Sequence, residues 1–431
     1  MRSVLIGLVI LFTLVAAWYL YLGLTPSQRS LRRFVYCTGT APDALNGAFP
    51  GDDVTSSTPA DPENWPSVTV IVPGRNEGHL LARTLGSLCA MEYPHFRVVF
   101  VDDQSTDNTA EVCRELEGRL PHLTVIHNQE HPRDGWIGKT WAVHQAEPYM
   151  QAGDYLLFTD SDLGFHPQCL KQMIRLALHR RTDITSLLPS IRYETLGELL
   201  GLLCAMTIVN TKLSLYDCNN PKVPRALVAG GFLLVKREAY HELGGHAAVR
   251  GQVVEDVAFG TRAKAMGKRV FTALTHDLYT ARMYEGWRDT YFGLKKNAYA
   301  GANYQPLFAA VIFAFLIFFG AMPPVYAVGG ITFAVLHPAP LTLALAVLGM
   351  IGFGGEMALG VRTAKYMGMR PRVAWTLPLG FVFYATVFAG SVVDHYRGGN
   401  TWSGRRLGKV QTLAHAGRVD APAEQPSNVV E

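Results

Sequence analysis

Apolar positions fall into two patterns along the chain: long uninterrupted runs near both ends, and short β-branched runs in between. Residues 3–24 carry no charge and are long enough to cross a bilayer, which takes about 20 apolar residues. Runs 307–336, 339–361 and 373–393 repeat that character, with Pro323–Pro324 interrupting the first and Pro378 the last. The short runs are VTVIVP (68–73), RVVFVDDQS (97–105), LTVIH (123–127) and YLLFTD (155–160). Runs of this length, ended by polar residues, predict buried strands. A helical pattern through Leu80, Leu81, Leu85 and Leu88 follows the first, and Thr106–Asp107–Asn108–Thr109 opens a helix after the second. Strands alternating with helices predict an α/β fold, a doubly wound and mostly parallel sheet. Such sheets bind ligands at the carboxyl ends of their strands, which here gathers Arg75, Asn76, Glu77, Asp102, Asp103, Asp160 and Asp162 on one rim.

These patterns divide the chain into an N-terminal membrane anchor (1–28), a linker (29–66), an α/β domain (67–300), C-terminal membrane helices (301–396) and a basic tail (397–431). The first run shows no small-residue cleavage site, so a retained anchor is favoured over a signal peptide. Arg29, Arg32 and Arg33 follow it while only Arg2 precedes it, which predicts a cytoplasmic main domain. The linker is rich in Gly, Pro, Ser, Thr and Asp and carries no chemistry. Residues 195–216 are apolar but interrupted by Glu198, Asn210 and Lys212. They suit a helix on the membrane face or one buried in the core. Arg362, Lys365, Arg370 and Arg372 mark an inside loop, yet three C-terminal spans would leave the basic tail (Arg397, Arg405, Arg406, Lys409) outside. A re-entrant segment or a split at the proline pair would change that parity, and the sequence leaves both open.

Composition sharpens this picture in one respect. The 431 residues are 49% hydrophobic, and the net charge is only +4 with the basic residues beside apolar runs, as membrane-flanking residues are. No nucleic-acid partner is expected. The six cysteines lack paired or metal-site spacing and read as reduced, buried thiols.

Asp160-Ser-Asp162 puts two carboxylates at i and i+2 off a strand end, an oxygen-only arrangement suited to Mg²⁺ or Mn²⁺ shared with substrate phosphates. An Asp-rich turn is the structural alternative. Lys139 stands at a glycine-containing turn before a helix, placed for phosphate charge or as an ordinary surface lysine. In AGGFLLVKREA (229–239) a strand enters a helix, and Gly230–Gly231 permits close backbone approach. Glu255–Asp256 opens a further helix, where first-turn acids also complement the helix dipole.

Taken as a set, VIVPGRNE (70–77), VVFVDDQSTDNT (98–109), GKTWA (138–142), FTDSD (158–162), AGGFLLVKREAY (229–240), VVEDVAFG (253–260) and GWRDTY (286–291) resemble the family 2, GT-A-fold glycosyltransferases. The membrane arrangement is most similar to the hopanoid-associated, carotenoid and ceramide lipid glycosyltransferases. The resemblance implies that Pro73, Arg75, Glu77, Asp102 and Asp103 line the nucleotide pocket with Lys139, the Asp103 carboxylate accepting from a base edge. The alternative for Asp102 and Asp103 is capping of the following helix, a task Asp107 or Ser105 suits better. The resemblance also implies Asp162 as metal ligand, Asp160 on the ribose or donor sugar, Gly230 and Gly231 beside a sugar, and Asp256 as general base of an inverting transfer. Glu255, Trp287 and Arg288 would meet acceptor or diphosphate. GWR departs from the Gln-x-x-Arg-Trp pattern of processive relatives, which argues against a polymer synthase.

The expectation is therefore a hexosyltransferase in a bacterial inner membrane. It would use a UDP- or GDP-sugar and Mn²⁺ or Mg²⁺, and its acceptor would be a lipid hydroxyl. A polyprenyl-phosphate acceptor, a processive synthase and a silent membrane scaffold are the alternatives.

Overall fold

The computed structural model describes residues 2–24, 36–37, 61–212, 215–252, 254–299, 302, 304–397, 401–402 and 405–406. Most of the expected linker and tail, with Arg29, Arg32, Arg33 and Lys409, lies outside the described residues. The first apolar run is helix α1 (Arg2–Leu24). After β1 (Tyr36–Cys37), the chain alternates through β2 (Val68–Gly74), α2 (Gly78–Cys89), β3 (Phe96–Asp103), α3 (Thr109–Glu117), β4 (Leu123–Asn128), α4 (Gly138–Gln145) and β5 (Tyr155–Phe158). Next come β6 (Leu163–Phe165), α5 (Cys169–Arg180), β7 (Ile184–Leu188), β8 (Ser190–Ile191), α6 (Leu196–Lys212) and α7 (Leu215–Asn219). The domain closes with β9 (Leu233–Lys236), α8 (Arg237–Glu242), α9 (Glu255–Ala265), β10 (Val270–Thr275), β11 (Tyr279–Ala281) and α10 (Gly286–Ala298).

Eight strands form the main sheet in the order β1-β10-β7-β9-β5-β2-β3-β4. Every neighbouring pair is parallel except the two that β9 makes, with β5 and with β7. Alternation along the strands feeds two cores. Val70, Val72, Phe100 and Leu157 face one, whereas Ile71, Val99, Val101, Leu156 and Phe158 face the other. The sheet is therefore covered on both faces, as parallel strands require. A small sheet, β6-β11-β8, sits beside the main one.

Among the described residues, four further α-helices follow the domain: α11 (Pro306–Phe315), α12 (Pro323–Leu336), α13 (Pro340–Tyr366) and α14 (Leu377–Arg397). A π-helical segment, Leu316–Ala321, continues α11, and the axis bends by 53° before α12. Pro323 and Pro324 supply the break, since neither ring can continue an upstream helix without losing a hydrogen bond. By length and composition Val4–Leu22, Pro340–Tyr366 and Pro371–Arg397 qualify as membrane spans, and the bent pair qualifies jointly. α12 and α13 form an antiparallel hairpin in which Gly349 lies so close to Tyr326 O that a Cβ would sit 2.5 Å from it. α1 packs along α13, with Val15 over Gly352 and Tyr19 over Gly355.

α6 is mostly buried, so the core alternative describes it better than a helix lying free on a membrane. Its Glu198 is wholly buried and accepts from Arg282 (3.1 Å), the Gly286 amide (2.6 Å), the Glu194 amide (2.8 Å) and Thr195 Oγ1 (3.0 Å). Burial alone would raise the carboxyl's pKa, but Arg282 and the amides bring it down to about 2.

Candidate active site

The rim is built by two loops that brace each other. After β2, Asn76 adopts a left-handed backbone (φ 60°), donates its amide to Ser105 Oγ (2.9 Å) and accepts the Thr106 amide on its side-chain oxygen (2.8 Å). Glu77 N–H donates to Thr109 Oγ1 (3.0 Å), and Asp107 accepts from the Thr109 amide (3.0 Å) at the start of α3. Asp107, not Asp102 or Asp103, thus does the capping work.

A cavity of about 270 Å³ opens between these loops and α4, lined among others by Pro73, Arg75, Glu77, Asp103, Lys139 and Asp162. Asp103 is buried and accepts from Asn128 Nδ2 (2.8 Å), while its carbonyl accepts from Arg75 (2.8 Å). The Arg75 Nε is buried with no protein acceptor. Glu77 is raised to about 7 by burial and by the charge of Asp162, and Asp162 itself to about 6 by burial and by Asp160. Negative charge is therefore in excess at this end of the cavity, a condition that favours a cation.

Lys139, from the first turn of α4, joins the two halves of the site. Its ammonium lies 2.6 Å from Asp160 Oδ1 and 2.7 Å from Glu255 Oε1. Burial would lower its pKa, but Asp160, Glu255 and Asp256 together hold it well above the usual lysine value. Gly230 lies close beneath it: a Cβ there would stand 3.0 Å from Lys139 Nζ and 3.3 Å from Asp256 Oδ2, so these side chains would have to shift. Asp256 accepts the Gly230 amide on Oδ2 and the Val257 amide on Oδ1, each at 2.7 Å. Burial, then the charge of Glu255, raises its pKa to about 7.

A second cavity, about 350 Å³, shares Asp160 and Asp162 with the first and reaches Asp256. Its walls are mainly apolar, with Ile191, Met206, Val209 and Tyr279 joined by Tyr366 and Met367 from the end of α13. None of its described lining residues is Lys, Arg or His.

The structure thus gathers Pro73, Arg75, Glu77, Asp103, Lys139, Asp160 and Asp162 at the first cavity, Gly230, Gly231 and Asp256 at the second, and Glu255 on Lys139. Asp102 is not among them. It turns to the other face of β3, accepting from the Ser105 amide (3.1 Å) and lying 3.1 Å from His127 Nδ1. Trp287 and Arg288 sit exposed on α10, the guanidinium over the indole at 5.4 Å, and line neither cavity. Asn128, Met206, Tyr366 and Met367 were not legible as site residues. Asn128 acts only through Asp103, and the other three are apolar or aromatic residues with no motif around them.

Residues 69–244 match the family model described as Glycosyl transferase family 2. Those residues form a family 2 glycosyltransferase domain. Its sheet is the GT-A-like, mostly parallel core, carried here between apolar helices at both ends of the chain. The chain is similar to the 4,4'-diaponeurosporenoate glycosyltransferase of Staphylococcus haemolyticus (strain JCSC1435), 25% identical over 245 residues, 56% of this chain and 63% of that protein. The protein of the same description from Staphylococcus aureus (strain USA300) is 24% identical over 247 residues, with the same coverage. The match thus spans less than two thirds of either relative. Among solved structures, the mannosyltransferase of Pyrobaculum calidifontis in complex with GDP-Man and Mn²⁺ aligns over 92% of this chain and 99% of its own, at 20% identity and TM-score 0.49.

Proposed function

We propose that this protein is an inverting glycosyltransferase that moves a sugar from a UDP- or GDP-sugar to the hydroxyl of a membrane lipid of the hopanoid or carotenoid kind. The observation that carries this reading is the second cavity. It begins at a half-buried carboxylate, Asp256, is walled by apolar side chains and borders the end of an apolar helix long enough to span a membrane. A phosphate acceptor would be anionic and would call for cationic lining, which these residues do not provide. A neutral hydroxyl instead needs a base to take its proton.

Nucleotide and diphosphate would occupy the first cavity. There Arg75, which lines the cavity, would meet the diphosphate, and the Asp103 carboxylate, held by Asn128, would accept from the base. Asp160, held by Lys139, would orient the donor sugar. Asp256, fixed by two backbone amides, would take the acceptor proton as its oxygen attacks the anomeric carbon from the side opposite the diphosphate. One displacement inverts the configuration.

Among the described residues, no three His, Cys, Asp or Glu side chains converge as a ligand set. An all-oxygen pair with surplus negative charge still fits Mn²⁺ or Mg²⁺ bound chiefly through Asp162 with substrate phosphates completing the shell. Such an ion would supply neutralisation of the leaving diphosphate.

The test is transfer from labelled UDP-glucose, UDP-GlcNAc and GDP-mannose into membrane lipids, with and without chelator. A base-stable lipid glycoside that disappears in Asp256→Asn and with chelator is the expected product. An acid-labile product formed equally by Asp256→Asn would replace the lipid-hydroxyl reading with a polyprenyl-phosphate acceptor.

A further inference from the structure

We propose that α14, although long and apolar enough to cross a bilayer, lies along the membrane surface, so that both its ends are on the same side as the glycosyltransferase domain. The inference rests on what touches the helix along its length. At its start, the loop following α13 is seated on the domain: the Ile191 amide donates to Met367 O (3.4 Å), and a Cβ on Gly368 would stand 2.8 Å from Ser190 Oγ. At its middle, Gly380 lies against Leu200 O of α6, and Tyr291 of α10 donates to Thr386 O (3.3 Å). Near its end, Asp394 pairs with Lys295 (2.7 Å). Ser391 Oγ donates to Lys295 O (2.6 Å) and accepts the Tyr299 amide (3.1 Å), and His395 stacks on Tyr304 at 4.9 Å.

These contacts advance together along α10 and α14, residue 291 beside 386 and residue 299 beside 391 and 395, so the two helices run side by side in the same direction. α10 follows β11 with only a few residues between them, and Arg288, Asp289 and Lys296 on it are exposed. Were α14 upright in the bilayer, α10 would stand upright with it and carry those charges into hydrocarbon. Lying flat, α14 packs on α6 and α10 of the domain and, through Phe381, on Gly320 of the bent pair, and it leaves exposed a stripe of Leu379, Val382, Thr386, Val393 and Tyr396 at helical spacing. Such a stripe suits the headgroup–acyl boundary, where aromatic residues collect.

The occupant of that stripe is the bilayer itself, because α1, α12 and α13 also expose apolar side chains, among them Val4, Leu20, Val328 and Val347, and qualify by length and hydropathy (α12 within the bent pair) to cross it. α13 ends against the domain and α12 pairs with it antiparallel, so the turn at His337 is on the far side. Three crossings result: α1, the bent pair and α13. That count places Arg362, Lys365, Arg370 and Arg372 on one side together with Arg397, which four spans would separate from them.

Sidedness of single cysteines tests this without any turnover, so it stands or falls independently of the proposed activity. Sealed vesicles of each orientation would be treated with a membrane-impermeant maleimide after Arg370→Cys, Arg397→Cys, His337→Cys or Glu115→Cys. The result expected is that Arg370→Cys and Arg397→Cys label with Glu115→Cys, on the domain's surface, and His337→Cys labels from the opposite side. Labelling of Arg397→Cys together with His337→Cys would overturn the proposal. A fluorophore at Val382→Cys gives a second reading. Quenching by shallow rather than deep spin-labelled lipids supports a surface helix, and stronger quenching by the deep labels refutes it.

Discussion

Asp256 is held by two short bonds from backbone amides, which favour its charged form, yet burial and Glu255 outweigh them and leave its pKa near 7. A base must be unprotonated to work, so acid removes activity and alkali restores it. The expected kcat/KM profile therefore rises with pH and reaches half its plateau near pH 7, since kcat/KM reports ionisations of the free enzyme. A flat profile from pH 5.5 to 8.5 would remove Asp256 from that role. The neighbouring acids show what single residues reveal in a sequence and what they hide. Asp102 and Asp103 look equivalent in FVDDQS, but strand side chains alternate between faces, so only one can meet the cavity. Asp103 does, and Asp102 braces the turn through Ser105 and His127. Asp160, Asp162, Glu77, Lys139 and Asp256 were legible because each stands at the end of a strand or the start of a helix, where the fold must present it. Trp287 and Arg288 line neither cavity, because their position follows from the direction α10 takes after β11.

At the scale of elements, four strands of the parallel half could be read directly, since short β-branched runs stopped by polar residues have few other solutions. The reversal of β9 could not. LLVK is as apolar as its neighbours, and its antiparallel pairing with both β5 and β7 is set by how the preceding loop returns across the sheet. The junction between α6 and α10 is similarly a matter of tertiary contact. Glu198 receives Arg282 and the first amide of α10, and it interrupts an otherwise apolar helix for that reason. Its folded pKa of about 2 lies below the usual carboxylate value. The resulting stabilisation is present above about pH 4.5 and lost as pH falls toward 2. Glu198→Ala takes the acceptor from the Gly286 and Glu194 amides and from Thr195 Oγ1, while Arg282 keeps Glu194 (3.0 Å), at a cost of about 3 kcal/mol. Thermal unfolding of the detergent-purified protein at pH 7 should show a clear drop in midpoint. An unchanged midpoint would mean that water replaces the carboxylate without loss.

For the whole molecule, the membrane helices do more than anchor. The runs that predict them were plain in the sequence, but hydropathy cannot say that Tyr366 and Met367, more than 100 residues downstream of Asp256, return to wall its cavity. Nor can it separate α14, which packs on α6 and α10 of the domain, from α13, because the two stretches are equally long and equally apolar. The consequence is a site assembled from two parts. One is a polar cavity made by the sheet rim, and the other is an apolar cavity closed by the end of α13. If the second holds the lipid, filling it should act on the acceptor alone. Met206→Trp puts an indole into a space of about 350 Å³ at a residue that does not line the first cavity. The expected result is a rise of about tenfold or more in KM for the lipid, equivalent to about 1.4 kcal/mol of lost binding, with the Kd of the nucleotide sugar unmoved. Titration calorimetry would supply the Kd and lipid-dependent transfer rates the KM. Equal weakening of both would mean that the two cavities act as one donor site, and the acceptor would then have to approach from elsewhere on the rim.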